Sequence, residues 1–367
     1  MTEFKTKVGY QGYDTLCAEV QACHKCPRMQ NSARVLSRAA GPINASVMFI
    51  GEAPGRLGAD SSQIPFHGDK AGANFEDLLG LAGLTRRDIF VTNSVLCNPK
   101  SERGNNSAPV LTEIANCSSY LRQQIDLVNP RVVVTLGGVA LRAIRLVEEH
   151  SLVLADAARS AVKWYGRTLV PLYHPGQRAM IQRPFADQIE DYRFVGAQIG
   201  MSANSKDSRR RAVGQIDVGT VAREIVESIP GISYFALHKL FYLLELDQVR
   251  RHGRQLTNAF FVRQKDGPYC VDLHPHKLRK ALLAVVGPSV PRVVLAIQDD
   301  LFGNDEVEIR IQLPTKAEIR ECLAKYRGLD NGKLKTKAYL SRPMKQILKE
   351  EKKSNMNLYN MPIDLSL

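Results

Sequence analysis

The chain has no apolar run approaching the ~20 residues needed to span a bilayer. Its first residues, MTEFKTKVGYQGYD, lack the charged-then-apolar order of a secretory signal. A soluble cytoplasmic protein with no membrane partner is therefore expected. Phosphate-binding loops are missing as well: neither GxGxxG nor GxxxxGKS/T occurs in the Gly-rich stretch between residues 47 and 79, so no nucleotide cofactor is expected. Carboxylates and histidines are not clustered as an open metal site requires, which argues against a zinc-dependent nuclease. Acids are in deficit too. Against 50 Lys and Arg there are 37 Asp and Glu in 367 residues, a net charge of +13 that favours a polyanionic partner.

What is present centres on VMFIGEAPGRLGADSSQIPFHGDKAGANFEDLL, residues 47–79. Val47 to Ile50 read as a short buried strand, Gly51 opens a Gly-Pro turn, and Gly68 to Gly72 lead into a helix expected to bury Phe75, Leu78, Leu79 and Leu81. A strand ending in such a loop sets backbone N–H groups, Glu52, Asp60 and Phe66 at the carboxyl edge of a sheet, where α/β folds bind ligands. Taken alone, the pattern fits a structural turn as well as a ligand loop. Two more βα units follow. RVVVTLGGVA at 131–140 precedes a helix expected over 140–149, and a strand over 168–172 runs into Tyr173-His174-Pro175-Gly176.

Seven cysteines in a chain of this size read as metal ligands, catalytic groups or core thiols rather than disulfides. Cys23 and Cys26 form a CxxC pair after a helix expected over 11–31. Cys97 follows a strand expected over 89–96, and Cys117 lies in a helical segment expected over 111–128. Four thiolates so spaced suit zinc or an iron-sulfur cluster, and the motif around each favours ligation over the alternative of Cys97 and Cys117 as buried small hydrophobes.

The GEAPG and PFHGDKAG segments resemble the first active-site motif of the uracil-DNA glycosylase superfamily, specifically its iron-sulfur families four and five. The spacing from Gly51 to Phe66 is similar to family five, so the chain reads as a hybrid. TNSVLCNPK at 92–100, NCSSYLRQQI at 116–125 and the HPG of 174–176 resemble further motifs of that group. The resemblance implies a structural 4Fe-4S cluster on Cys23, Cys26, Cys97 and Cys117, leaving Cys17, Cys270 and Cys322 as core or surface thiols. It also implies a monofunctional DNA glycosylase acting on DNA by base flipping. Phe66 would stack on the base and Asn93 would read its edge. His174 would donate to the departing base, Glu52 and Asp60 would orient water, and Gly51, Ala53, Pro54, Gly55, Gly58 and Arg178 would surround the nucleotide. Gly58-Ala59 occupies a turn where family four carries another acid, and the loss of bulk there points to a pyrimidine larger than uracil, such as a 5-substituted cytosine of phage DNA.

Composition changes at 201–214, a polar and basic stretch ending near Arg209-Arg210-Arg211 that reads as a linker. The expected organisation is a glycosylase-like domain over 1–200, that linker, an α-rich domain over 215–327 and a charged tail over 328–367 ending loosely. KLFYLLE and RHGRQLTNAFFVRQKDGP resemble a Panacea-type antitoxin domain, which implies a protein partner and a setting in antiphage defence. The fold expected is a three-layer αβα domain on a four-stranded, mostly parallel sheet, with a smaller α-rich domain after it. The competing reading is a noncatalytic DNA-binding or toxin-antitoxin module on the same fold.

Overall fold

The structure is a computed structural model that describes residues 2–200, 216–287, 289–295, 315–354 and 358–366. The expected linker, 201–214, therefore lies outside the described residues. The chain divides into two compact units, Met1–Ala212 and Val213–Leu367. Among the described residues, no helix is long and apolar enough to cross a membrane.

The first unit is built on a sheet of five strands rather than the expected four: β1 (Val47–Gly51), β2 (Ile89–Asn93), β3 (Val132–Leu136), β4 (Val162–Trp164) and β5 (Arg167–Leu172), in the order β2-β1-β3-β5-β4. Four run parallel, and the fifth, β4, pairs antiparallel with β5 through the tight Tyr165-Gly166 turn. The strand missed from sequence has only three residues, of which Trp164 alone is buried, so no period-2 signal marks it. The parallel strands β1, β2 and β3 are buried at every position, as both-face coverage by helices requires.

Alternation sends Met48, Ile50, Phe90, Val133 and Leu169 to one core, which also contains Leu121 and Ile125 of helix Leu111–Val128. Phe49, Val91, Val134 and Val170 go to the other, with Phe75, Leu78 and Leu79 of helix Lys70–Leu81 and Tyr192 and Val195 of helix Phe185–Gln198. Hence three layers. Leu81, expected in the core, is instead 47% exposed at the end of its helix. The helix expected over 11–31 runs Thr2–Gln21, leaving Cys23 and Cys26 in the turn before a single 3-10 turn at Pro27–Met29. The segment expected as helix over 140–149 is likewise short, Gly138–Ala143 with a 3-10 turn after it.

The second unit is helical, with two small hairpins, and packs around helix Tyr234–His252. That helix is apolar on nearly every side, as a central helix must be. Its one fully buried carboxylate, Glu245, accepts the backbone N–H groups of Leu256 and Thr257. The tail does not end loosely. Helices Asn331–Tyr339 and Arg342–Ser354 put Leu334, Ala338, Met344 and Ile347 into the core, and the last residues return along strand Phe261–Gln264. Arg263 N–H bonds Met361 O at 2.8 Å and Ile363 N–H bonds Phe261 O at 2.9 Å, burying Ile363 and Leu365. The sequence conceals this because the apolar anchors are spaced two apart in a polar stretch.

Candidate active site

In an open parallel sheet the ligand crevice lies beyond the carboxyl ends of the strands, where the order reverses. Here β1 continues to β2 on one side and β3 lies on its other, and the loops that follow β1, β2 and β5 enclose a cleft of about 320 Å³. Gly51 closes β1 in register with Asn93, the last residue of β2. A Cβ on Gly51 would stand 2.5 Å from Asn93 Oδ1 and 2.6 Å from the Phe66 ring, so the absent side chain is what lets those two groups converge. Asn93 is 2% exposed, and its Oδ1 has no hydrogen-bond partner although it lines the cleft.

Phe66 takes a left-handed backbone, φ 50°, costly for a bulky residue. Arg86 holds it there. The buried guanidinium donates to Pro65 O (2.7 Å) and Phe66 O (2.9 Å), pairs with Glu76 at 2.5 Å and lies over the Phe75 ring. The Phe66 ring in turn rests on Phe75, centroids 4.8 Å apart, and against His174 at 5.5 Å.

His174 follows β5. Its Nδ1 accepts the Gly176 N–H at 3.0 Å, so the neutral ring carries its proton on Nε2. Burial pushes its pKa below the ordinary histidine range, opposed in part by the Asp69 charge. Glu52 lines the same cleft, and burial pushes its pKa up while Arg142 pulls it back. A basic carboxylate and a neutral N–H donor thus share one desolvated crevice.

Of the other residues singled out from sequence, Ala53, Pro54, Gly55 and Arg178 also line the cleft. Gly58 stands behind it, against the Asp69 carboxylate. Asp60 is not in the lining. Its carboxylate accepts the Ala33 N–H at 2.8 Å and pairs with Lys100 at 3.0 Å, tying the loop after β1 to the chain around residue 33. The acid that lines the cleft beside Glu52 is Asp69, which sequence reasoning took only as part of a Gly-rich turn. It caps helix Lys70–Leu81, Oδ1 accepting Gly72 N–H at 2.8 Å, and an Asp three residues before a helical Gly is the signal that could have drawn attention to it. Asn98 and Asn106 were missed for want of any pattern.

The four motif cysteines converge from the turn after the first helix, the turn after β2 and helix Leu111–Val128. Burial pushes the Cys97 thiol up to about 12 and Cys117 to about 11; Cys117, Cys23 and Cys26 raise Cys97 further, and Cys26 and Cys23 raise Cys117. Asn116 Nδ2 reaches Cys26 Sγ at 3.5 Å. The all-sulfur donor set is one that suits zinc or an iron-sulfur cluster. Among the described residues, however, no group of three or more His, Cys, Asp or Glu stands close enough to hold a metal ion as placed. Cys270 and Cys322 are buried in the second unit and Cys17 is half-buried in the first.

The profile of the uracil DNA glycosylase superfamily matches residues 39–192, wholly within the first unit. A type-4 uracil-DNA glycosylase of Thermotoga maritima is 32% identical over 157 residues, covering 42% of this chain and 77% of that protein. One of Sulfurisphaera tokodaii is 34% identical over 184 residues, 48% of this chain and 80% of its own length. A type-5 uracil-DNA glycosylase of Pyrobaculum aerophilum is 31% identical over 160 residues, 36% of this chain and 69% of its own. Shared sequence at this coverage, on a sheet whose carboxyl edge gathers Glu52, Phe66, Asn93 and His174, makes this chain a DNA glycosylase belonging to the uracil-DNA glycosylase superfamily.

Proposed function

We propose that this glycosylase is monofunctional. It flips a pyrimidine nucleotide, uracil or a modified cytosine, into the cleft and hydrolyses the bond from base to sugar, leaving an abasic site. The observation that carries this is an unpartnered amide oxygen, Asn93 Oδ1, and a neutral Nε2–H donor, His174, on residues that line one cleft with the Phe66 ring. An extruded base needs a stacking face and hydrogen bonds at its edge. Phe66 provides the first and the Asn93 carboxamide, both donor and acceptor, the second.

Breaking the bond places positive charge on the sugar and negative charge on the departing base. His174 Nε2–H donates to the base oxygen as that charge grows. Glu52 in its ionised form orients and deprotonates the water that attacks the sugar carbon. No lysine is among the described residues lining the cleft, in keeping with hydrolysis by water rather than a covalent imine. Asp60, committed to Ala33 and Lys100, supports the loop and leaves the anionic role to Glu52.

Cys23, Cys26, Cys97 and Cys117 would hold a 4Fe-4S cluster, which when bound supplies a structural cross-link and no step of hydrolysis. The second unit, with its likeness to Panacea-type domains, would bind a protein partner, and excision of modified cytosines would turn the enzyme against phage DNA.

The test is base release from matched oligonucleotides carrying uracil, thymine, 5-hydroxymethylcytosine or glucosylated 5-hydroxymethylcytosine, with alkali to cut abasic sites. Release of uracil or a modified cytosine, abolished in Glu52→Gln/His174→Ala, is expected. Strand cleavage without alkali at the rate of base loss would refute the monofunctional assignment.

A further inference from the structure

The cleft continues past its base-reading end. Gly51, Asn93 and Phe66 mark that end, and the Pro54–Arg56 turn marks the other. There Asn98 Nδ2 donates to Pro54 O at 2.5 Å and to Asn106 Oδ1 at 3.0 Å, and Asn106 Oδ1 also accepts Arg56 N–H at 2.9 Å. Both N–H bonds of Asn98 are thereby used. Its Oδ1 is left without a hydrogen-bond partner in a residue 1% exposed that lines the cleft. Buried acceptors of this kind are rare, and each calls for a donor from elsewhere. Across the Gly55 turn lies Asp69, whose Oδ2 is 2.7 Å from where a Gly55 Cβ would stand, and Asp69 also lines the cleft. Asn98 and Asp69, each carrying an acceptor, thus line the same cleft.

A ligand meeting them must bring hydrogen-bond donors. The backbone of a DNA strand brings none: its phosphates only accept, its 3′ and 5′ oxygens are esterified, and it has no 2′-hydroxyl. Uracil has one ring N–H, which the Asn93 oxygen suits. The donor for Asn98 must come from a group attached to the base. Room is available, since about 320 Å³ falls in the range of pockets that enclose whole multi-ring ligands. We propose that Asn98, with Asp69 across the Gly55 turn, forms a second subsite that recognises a hydroxyl or amino donor carried by a substituent of the flipped pyrimidine. This rests on the reading of the cleft as a pyrimidine pocket.

The experiment compares kcat/KM of the full chain on duplexes containing uracil, 5-methylcytosine and 5-hydroxymethylcytosine, for the wild type, Asn98→Leu and Asn98→Asp. Methyl and hydroxymethyl differ by one hydroxyl group, and the Asn98 variants test its role as donor. The wild type is expected to favour hydroxymethylcytosine over methylcytosine by about tenfold or more, the effect of one buried hydrogen bond. Asn98→Leu should erase that ratio. Asn98→Asp keeps an acceptor but loses the tie to Pro54, and should retain it. Equal ratios in the wild type, or equal loss in Leu and Asp variants, would show that Asn98 only braces the turn and would overturn the proposal. Uracil release with both cytosines untouched would overturn the subsite and leave the glycosylase reading standing; no release of any base would remove both.

Discussion

Replacing Arg86 by Met should damage the pocket from a residue that does not line it. The guanidinium makes charge-assisted hydrogen bonds to two buried carbonyls and an ion pair with Glu76, both side chains of that pair being nearly inaccessible, 2% and 11%. Breaking one partner out of a buried pair costs about 3–5 kcal/mol. A left-handed backbone at Phe66 stores about 1–2 kcal/mol more, which the clamp on the Phe66 carbonyl offsets. Without the clamp the loop relaxes and the ring swings away from His174. Arg86→Met should therefore lose about 3–5 kcal/mol in denaturant unfolding. At temperatures where it stays folded, KM should rise more than kcat falls, because stacking rather than hydrolysis is impaired. Adding Glu76→Gln should return part of the lost stability by neutralising the carboxylate that loses this guanidinium. An Arg86→Met protein within ~1 kcal/mol of wild type and with unchanged KM would refute the reasoning.

Four further outcomes follow from the structure. Glu52 must be ionised to act, and burial raises its pKa, so kcat/KM should fall on acidification at a pH above the ordinary carboxylate range, and Glu52→Gln should cost ~10²-fold or more in rate. Because the folded-state pKa is raised, the penalty of ionising Glu52 is absent below the unfolded value and present above the folded one. Glu52→Gln should thus raise the melting temperature at neutral pH and lose that gain as pH falls through the raised folded pKa to the unfolded value of about 4. Gly51→Ala, which drives a methyl group into Asn93 and Phe66, should abolish base release in a protein whose circular dichroism is unchanged. Ile363→Ala should cost about 2–5 kcal/mol in the second unit, measured by hydrogen exchange of strand Phe261–Gln264; a loss under ~0.5 kcal/mol would mean the tail does not pack there.

The sequence by itself determined the layers and the parallel strands. Val47–Ile50 and Val132–Thr135 read as strands buried on both faces, and a Gly-Pro turn after such a strand puts its residues at the crevice. Glu52, Phe66, Asn93 and His174 were legible because each stands at a strand end or in a motif of fixed spacing. Only the tertiary structure decided which acids face the cleft. Asp60 and Asp69 both lie in loops after β1, nine residues apart, and which of them lines the cleft depends on where Ala33, Lys100 and Gly72 stand. The same holds for Arg86, whose grip on Phe66 joins residues twenty apart, and for Asn98, whose orphaned oxygen appears only once Pro54 and Asn106 have taken its donors. Periodicity records which face of an element is buried. Which polar group remains unpaired depends on contacts between loops that no local pattern encodes.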